Sequence, residues 1–481
     1  MTALLRRRAV VVVCGLLLLL LGYQRRVSWR DELLLPGIAG DSLQYFTLAA
    51  QLENHHTLSF DGTTPSWSRL PGYPLFLWAT TSPSPGAALR ADPEIRSAEI
   101  AKFLQSCTRV NQLVDLVLGA ELALLAVALG AGPGSALLVL LYWMIQPWSA
   151  VFTAHPLCDG LAAALGTGCL CWLAAALSTR VIAGGTFQSI ALVAAGSTAG
   201  LTALVRPDGM ILFALVIAAT LLVAIPLRPI QKRLKRTGGA VLAIALTFSP
   251  WPIRNVLVFA WPHPLAGFTG VDEKGTPFDR VPSLEWLRTW PPSPKLTTTV
   301  AWAFPARPIT SRSLPEEYFG TDSDRANLEQ LIAEYNAKGY LDAALNAKFH
   351  AQALTRRSRY PLQYYVTWPL LRIRQGLFAP HDGIGMRTLT QALENRDLWS
   401  VLQNVLLALG LVGCGFLWAP RRARVPALLL TVLLLSRLAA ASWMPNPEPR
   451  YLLSLWPLLF ATAATLPRRL TTWQQTASQD S

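Results

Sequence analysis

Apolar residues along this chain fall into long, nearly charge-free blocks, and the polar residues between them form short turns except in two places. A bilayer core of roughly 30 Å takes about 20 residues of helix, so blocks of about 18 or more apolar residues read as transmembrane helices. About ten spans meet this description: Ala9 to Tyr23, Leu113 to Gly130, Ser135 to Phe152, Leu157 to Leu177, Gln188 to Val205, Gly209 to Leu227, Gly239 to Trp251, Leu398 to Ala419, Val425 to Trp443 and Tyr451 to Leu466. The first and seventh are short. The pattern predicts an all-α polytopic membrane protein.

The two long polar stretches set the organisation. A first loop covers residues 24–112, and an insert covers 252–396, between an N-terminal membrane module (1–251) and C-terminal membrane helices (397–481). The insert opens with Pro-rich runs (WPHPL, WPPSPK, FPARP) and then turns helical. Leu328, Leu331, Ile332 and Tyr335 recur at helical spacing, Leu341, Ala344, Leu345 and Phe349 continue the stripe after Gly339, and the run Thr321 to Asp324 offers N-caps. Tyr360-Pro361 ends that helix, because a residue before proline is pushed out of the helical region. In the segment LQYYVTWPLLRIRQGLF, Tyr364, Tyr365 and Trp368 stand among apolar residues with Arg372 and Arg374, a composition suited to a helix lying in the membrane interface.

Composition supports the membrane class: 52% of the 481 residues are hydrophobic and 15% charged, and the mean hydropathy is +0.35. The net charge of +14 points to anionic lipid rather than nucleic acid, because the excess Lys and Arg sit at helix ends instead of forming one patch. Cytoplasmic loops carry that excess. An inside N-terminus then makes Arg6 to Arg8, Arg180, the cluster Arg228 to Arg236, Arg421 to Arg424 and Arg468-Arg469 cytoplasmic; only Arg25, Arg26 and Arg30 run against it. The first loop and the insert are then extracytoplasmic. The first span lacks a good small-residue cleavage site after it and reads as a retained signal anchor. Six cysteines, four of them inside spans, give no disulfide framework, with one Cys107 to Cys158 bond left open, and the six histidines show no metal-ligand spacing.

No Walker, Rossmann or Gly-Ser-nucleophile motif is present, so candidate chemistry comes from the loops. Transfer of a sugar from a polyprenyl phosphate needs a carboxylate to take the acceptor's proton. It also needs arginines to hold a phosphate leaving group, which needs no second acid to protonate it. The outer face offers such a set: Asp41 and Arg69 in the first loop, His155 and Asp159 at the mouth of the fourth span, Arg206 and Asp208 in a V-R-P-D-G turn, Arg254 after S-P-W-P, and Arg450-Tyr451 before the last span. Plainer uses exist for each. Asp41 and Asp208 are suited to capping helices, Arg69 to pairing with a loop carboxylate, Arg206 and Arg450 to anchoring at the interface, and Tyr45 and Tyr73 to packing or to stacking on a sugar face.

The ordered motifs G-D-S-x-x-Y-F-x-x-A-x-x-L, R-L-P-G-Y-P-L-F-L, L-V-R-P-D-G, S-P-W-P-I-R-N and P-R-Y-L-L-S-L-W-P resemble GT-C glycosyltransferases of the protein mannosyltransferase and aminoarabinose transferase type. The resemblance covers most of the chain and is weakest from Ala260 to Asp322. It implies a GT-C-like fold, a polyprenyl-phosphate sugar donor, Asp41 as catalytic base, and Arg69, Arg206 or Arg450 on the carrier phosphate. Asp159 would orient acceptor or donor. Some relatives carry paired acids where this chain has Gly40-Asp41-Ser42, and many carry Glu where it has Asp159, so a divalent cation is left open. The alternative is a transporter or flippase of a lipid-linked precursor. That would call for an internal repeat and ionisable residues near the midplane, and among the spans Arg437 is the main charged exception.

Overall fold

The computed structural model describes residues 2–33, 41–66, 69–177, 185–224, 230–259, 269–271, 277–279, 281–292, 308–309, 321–378, 396–418, 424–445 and 449–477. These residues are helical apart from loops, turns and one small antiparallel ribbon, in which β1 (Thr269–Val271) pairs with β2 (Pro277–Asp279). The chain divides into two compact units, one of residues 1–265, 388–437 and 453–481, the other of residues 266–387 and 438–452.

The first unit contains α1 (Thr2–Leu33), α2 (Asp41–His55), α3 (Gly72–Thr80), α4 (Pro85–Arg90), α5 (Pro93–Ala128), α6 (Pro133–Ile145), α7 (Pro147–Thr153), α8 (Asp159–Leu177), α9 (Gly185–Val205), α10 (Ile211–Ala224), α11 (Ile230–Phe248) and α12 (Pro250–Phe259). Each of the ten expected spans coincides with helix, but length and composition alone qualify fewer as crossings. Among the described residues, Arg8–Ser28, Glu94–Ala128, Asp159–Leu177, Thr186–Val205 and Asp397–Phe416 are long and apolar enough, making five, or seven if two bent pairs each count as one. The bends, 49° between α6 and α7 and 43° between α11 and α12, fall at Pro147 and Pro250, where a missing N–H and a bulky ring interrupt the helix. Gln146 compensates at the first, its Oε1 accepting from the Trp148 N–H (2.7 Å) and the Ser149 N–H (3.2 Å).

α1 is held by a charge. Arg26, 1% exposed, pairs with Asp115 of α5 and donates to the Trp143 and Met144 carbonyls, both at 3.0 Å, and to Ser149 Oγ at 3.0 Å. This explains its departure from the charge rule. That rule concerns solvated loop cations, whereas Arg26 is an internal tie between α1, α5 and the α6–α7 bend.

The second unit carries α13 (Val281–Arg288), α14 (Asp322–Lys338), α15 (Ala343–Arg359) and α16 (Trp368–Phe378). The expected helical stripe is present, divided in two at Gly339, which adopts φ 79° and closes α14 as a left-handed C-cap. Thr321 and Asp324 form a capping box at the start of α14, and the Asp342 side chain accepts the Leu345 N–H at 2.8 Å to start α15. α15 ends at Arg359, before Tyr360-Pro361. Trp286, Trp290, Leu328, Ile332, Tyr335, Leu345 and Phe349 make the core.

The segment before and through α16 does present an apolar side, with Leu362, Tyr365 and Leu370 at 64%, 58% and 59% exposure. Arg372 faces the other way, its Nη2 donating to the carbonyls of Arg288 (2.8 Å) and Trp290 (2.9 Å) at the end of α13. Burial pulls the Arg372 guanidinium down to about 10.

The first unit is completed by α17 (Arg396–Phe416), most of α18 (Arg424–Trp443), α19 (Trp456–Ala463) and α20 (Leu466–Ala477).

Candidate functional site

α2 begins at Asp41, and one turn on, Gln44 and Tyr45 share its face, as residues three and four apart do on a helix. Arg69 reaches this face from the chain entering α3. It pairs with Asp41, its Nε donates to Gln44 Oε1 at 2.8 Å, and its guanidinium lies 5.4 Å from the centre of the Tyr45 ring. The pair is open, with side chains 28% exposed for Arg69 and 30% for Asp41. Burial would lower the Arg69 pKa, but Tyr45 and Asp41 beside it hold it above its usual value.

A second, closed cluster stands nearby in the same unit. Asp159, the first residue of α8, pairs with Arg206, whose Nε also donates to Asp208 Oδ1 at 3.2 Å, and Asp208 pairs with Arg437 of α18. The four side chains alternate in sign and are 3%, 13%, 17% and 5% exposed in that order. Buried charges persist where each has an opposite charge beside it, and the alternation supplies this. Arg437 was legible as a charged exception in an apolar helix; that it completes this quartet was not.

Tyr45 joins the two clusters. Its hydroxyl donates to Cys158 Sγ at 3.0 Å, immediately before Asp159, and its ring meets Tyr73 edge-on at 5.1 Å. Burial, with Cys158 alongside, pushes the Tyr45 hydroxyl well above its ordinary pKa, and Arg69 opposes that rise. Tyr73 is 0% exposed and Tyr45 6%, so both rings form the packed floor of the pair. The Tyr73 hydroxyl donates to Asn111 Oδ1 at 3.3 Å.

Two motif glycines bring these pieces together. A Cβ on Gly72 would come within 2.7 Å of the Leu204 carbonyl carbon and oxygen, and one on Gly209 within 2.6 Å of Thr202 and Ala203 backbone atoms. R-L-P-G-Y-P therefore presses α3 onto the end of α9, just before Arg206.

The other candidates have surroundings of their own. Arg254 donates to the Ser66 carbonyl and to Asn255 Oδ1, both at 3.0 Å, and lies 5.1 Å from the Trp251 ring and 5.0 Å from the Phe259 ring. Arg450 belongs to the second unit, its guanidinium 5.2 Å from the Tyr451 ring. His155 is partly buried, its carbonyl accepting from Asn111 Nδ2 at 2.9 Å, and burial lowers its pKa. Glu53 serves the fold: it accepts from Ser84 Oγ at 2.6 Å and the Gly86 N–H at 2.8 Å, fixing the start of α4. Cys107 and Cys158 are both free. Asp41, Asp159 and Asp208 are each paired with an arginine. Among the described residues no three His, Cys, Asp or Glu side chains gather as a ligand set.

No family model and no curated protein matches the chain. Among solved structures it is similar to the archaeal oligosaccharyltransferase AglB from Archaeoglobus fulgidus, in complex with an inhibitory peptide and a dolichol-phosphate, at TM-score 0.50 and 12% identity over 98% of this chain. It spans about half of that protein's length, 52%. A looser match, at TM-score 0.36 and 15% identity, covers 97% of this chain and 78% of ArnT from Cupriavidus metallidurans. The chain is a multi-pass membrane protein with the GT-C fold.

Proposed function

We propose that the protein is a membrane glycosyltransferase that moves a sugar from a polyprenyl-phosphate donor to an acceptor hydroxyl on the extracytoplasmic face, with inversion. The observation that carries this reading is the open Asp41–Arg69 pair, a carboxylate and a guanidinium side by side on an aromatic floor. Asp41 takes the acceptor's proton as the acceptor oxygen attacks the anomeric carbon. Arg69 receives the phosphate, where a planar, permanently charged fork strengthens its hold as charge grows on the leaving oxygen.

Arg254 has uncharged hydrogen-bond partners and aromatic neighbours, which suits a second phosphate contact. Arg450 is assigned the same kind of role on its chemistry. The quartet holds Arg206 and Asp159 as a neutral abutment beside the pair. The AglB structure with dolichol-phosphate supports a polyprenyl phosphate as carrier, and the acceptor is a hydroxyl.

The test is consumption of a panel of polyprenyl-phosphate sugars by the purified protein in lipid, with cell-envelope acceptors present and products read by mass spectrometry. Wild type is expected to consume one donor, and Asp41→Asn to do so about 10²- to 10⁴-fold more slowly, the usual worth of a general base. Equal rates would remove Asp41 from the role. No consumption of any donor would overturn the reading.

A further inference from the structure

The base and the phosphate-binding cation of the proposed reaction are bound to each other. Arg69 uses one Nη on Asp41, its Nε on Gln44 Oε1 at 2.8 Å and its face on Tyr45. In this state the Asp41 carboxylate is already engaged by a cation, which stabilises its charged form and weakens it as a proton acceptor. Arg69 in turn has its best anion-binding edge occupied. Each side chain is weakened for its task while the pair stands.

The pair is nonetheless built to open. Both side chains are close to a third exposed, against 3% and 13% for Asp159 and Arg206. An ion pair partly open to water is screened and weakly held, so little opposes exchange. A phosphate offers Arg69 more acceptor oxygens than Asp41 does, and Gln44 and Tyr45 can keep hold of the guanidinium as its partner changes. The closed quartet has no comparable freedom, since Asp208 already links two arginines.

We infer that Arg69 is an exchangeable partner: donor phosphate takes the guanidinium from Asp41, so that binding the donor is what frees the base. This rests on the proposed glycosyl transfer and adds an order to it, donor first. The exchange makes and breaks only ion pairs. In the transfer that follows, the acceptor oxygen bonds to the anomeric carbon, its proton passes to Asp41, and the carbon to phosphate-oxygen bond breaks with its electron pair leaving on the phosphate that Arg69 holds. Without donor the base stays quenched, and an acceptor hydroxyl entering first meets a carboxylate already taken.

The exchange makes an unusual prediction for binding, separate from turnover. Asp41 competes with the phosphate for Arg69, so removing its charge should tighten phosphate binding although it destroys the base. The experiment is a titration of a sugar-free polyprenyl phosphate into protein in nanodiscs, for wild type, Asp41→Asn, Arg69→Ala, Arg69→Lys and the double variant Asp41→Asn/Arg69→Ala. Asp41→Asn is expected to bind about five- to tenfold more tightly than wild type, a normal size for coupled sites. Arg69→Ala should bind more weakly, Arg69→Lys should recover part of the loss, and the double variant should gain nothing over Arg69→Ala. Unchanged or weaker binding by Asp41→Asn, in protein whose unfolding midpoint matches wild type, would overturn the exchange and leave the functional reading standing. No binding by wild type would overturn both.

Discussion

The two ion-pair clusters of the first unit use the same residue types and differ in how they are closed. The Asp159–Arg206–Asp208–Arg437 quartet is buried and alternates in charge along α8, the R-P-D-G turn and α18. The Asp41–Arg69 pair has two members, an amide and a ring around it, and solvent on one side. Pairing two charges in a low-dielectric interior makes their separation expensive, while the same pair near water separates at small cost. The quartet is therefore suited to fixing helices, and the open pair to meeting a ligand.

Stability should divide accordingly. Arg437→Ala leaves Asp208 with a buried, half-compensated charge and is expected to cost about 3 to 5 kcal/mol, seen as a large fall in the unfolding midpoint of the detergent-solubilised protein. Asp208→Ala combined with it should recover part of that loss, as residues of one network do not act additively. Arg69→Ala, by contrast, should cost under about 1 kcal/mol while weakening phosphate binding. Equal midpoints for Arg437→Ala and Arg69→Ala would erase the distinction between the clusters.

A smaller effect tests what holds them in register. Gly72→Ala places a methyl 2.7 Å from the Leu204 carbonyl, an overpacking worth about 1 to 3 kcal/mol, and should slow donor consumption more than the same change at Gly160, where a Cβ meets nothing within 4 Å.

The smallest concerns the first loop's own order. The Asp61 carboxyl lies below the usual carboxylate range because the Thr64 and Thr63 amides and the Ser59 hydroxyl donate to it. A depressed pKa stabilises the fold fully above the unfolded value of about 3.9, and that contribution is lost progressively below it until the pH passes the lower folded value. Protection of the Thr63 and Thr64 amides from hydrogen exchange, relative to their intrinsic rates, should then fall on acidification, with the quartet untouched.

Much of this was legible in the sequence because polar residues at the mouths of apolar blocks are costly and so stand out. Asp41, Arg69, Asp159, Arg206 and Asp208 were all found this way, and the helices of the second unit followed from their caps and stripe. Pairing was not legible. Arg437 meets Asp208 from a distant helix, and nothing local to either announces the partner. Tyr45 and Tyr73, whose types suit a sugar face equally well, are buried by contacts that only the packing of α2, α3 and α5 creates. Of the roughly ten crossings expected, five described helices qualify by length and composition, or seven with each proline-bent pair taken as one.

The tie at Arg26 also has a history during synthesis. Its partner Asp115 lies 89 residues later in the chain, which at about 5 to 20 residues per second is roughly 4 to 18 s of translation. For that interval the end of α1 carries a cation with no counterion yet made. The first helix can enter the membrane early, but it acquires its final neighbours only when α5 and then the α6–α7 bend have left the ribosome.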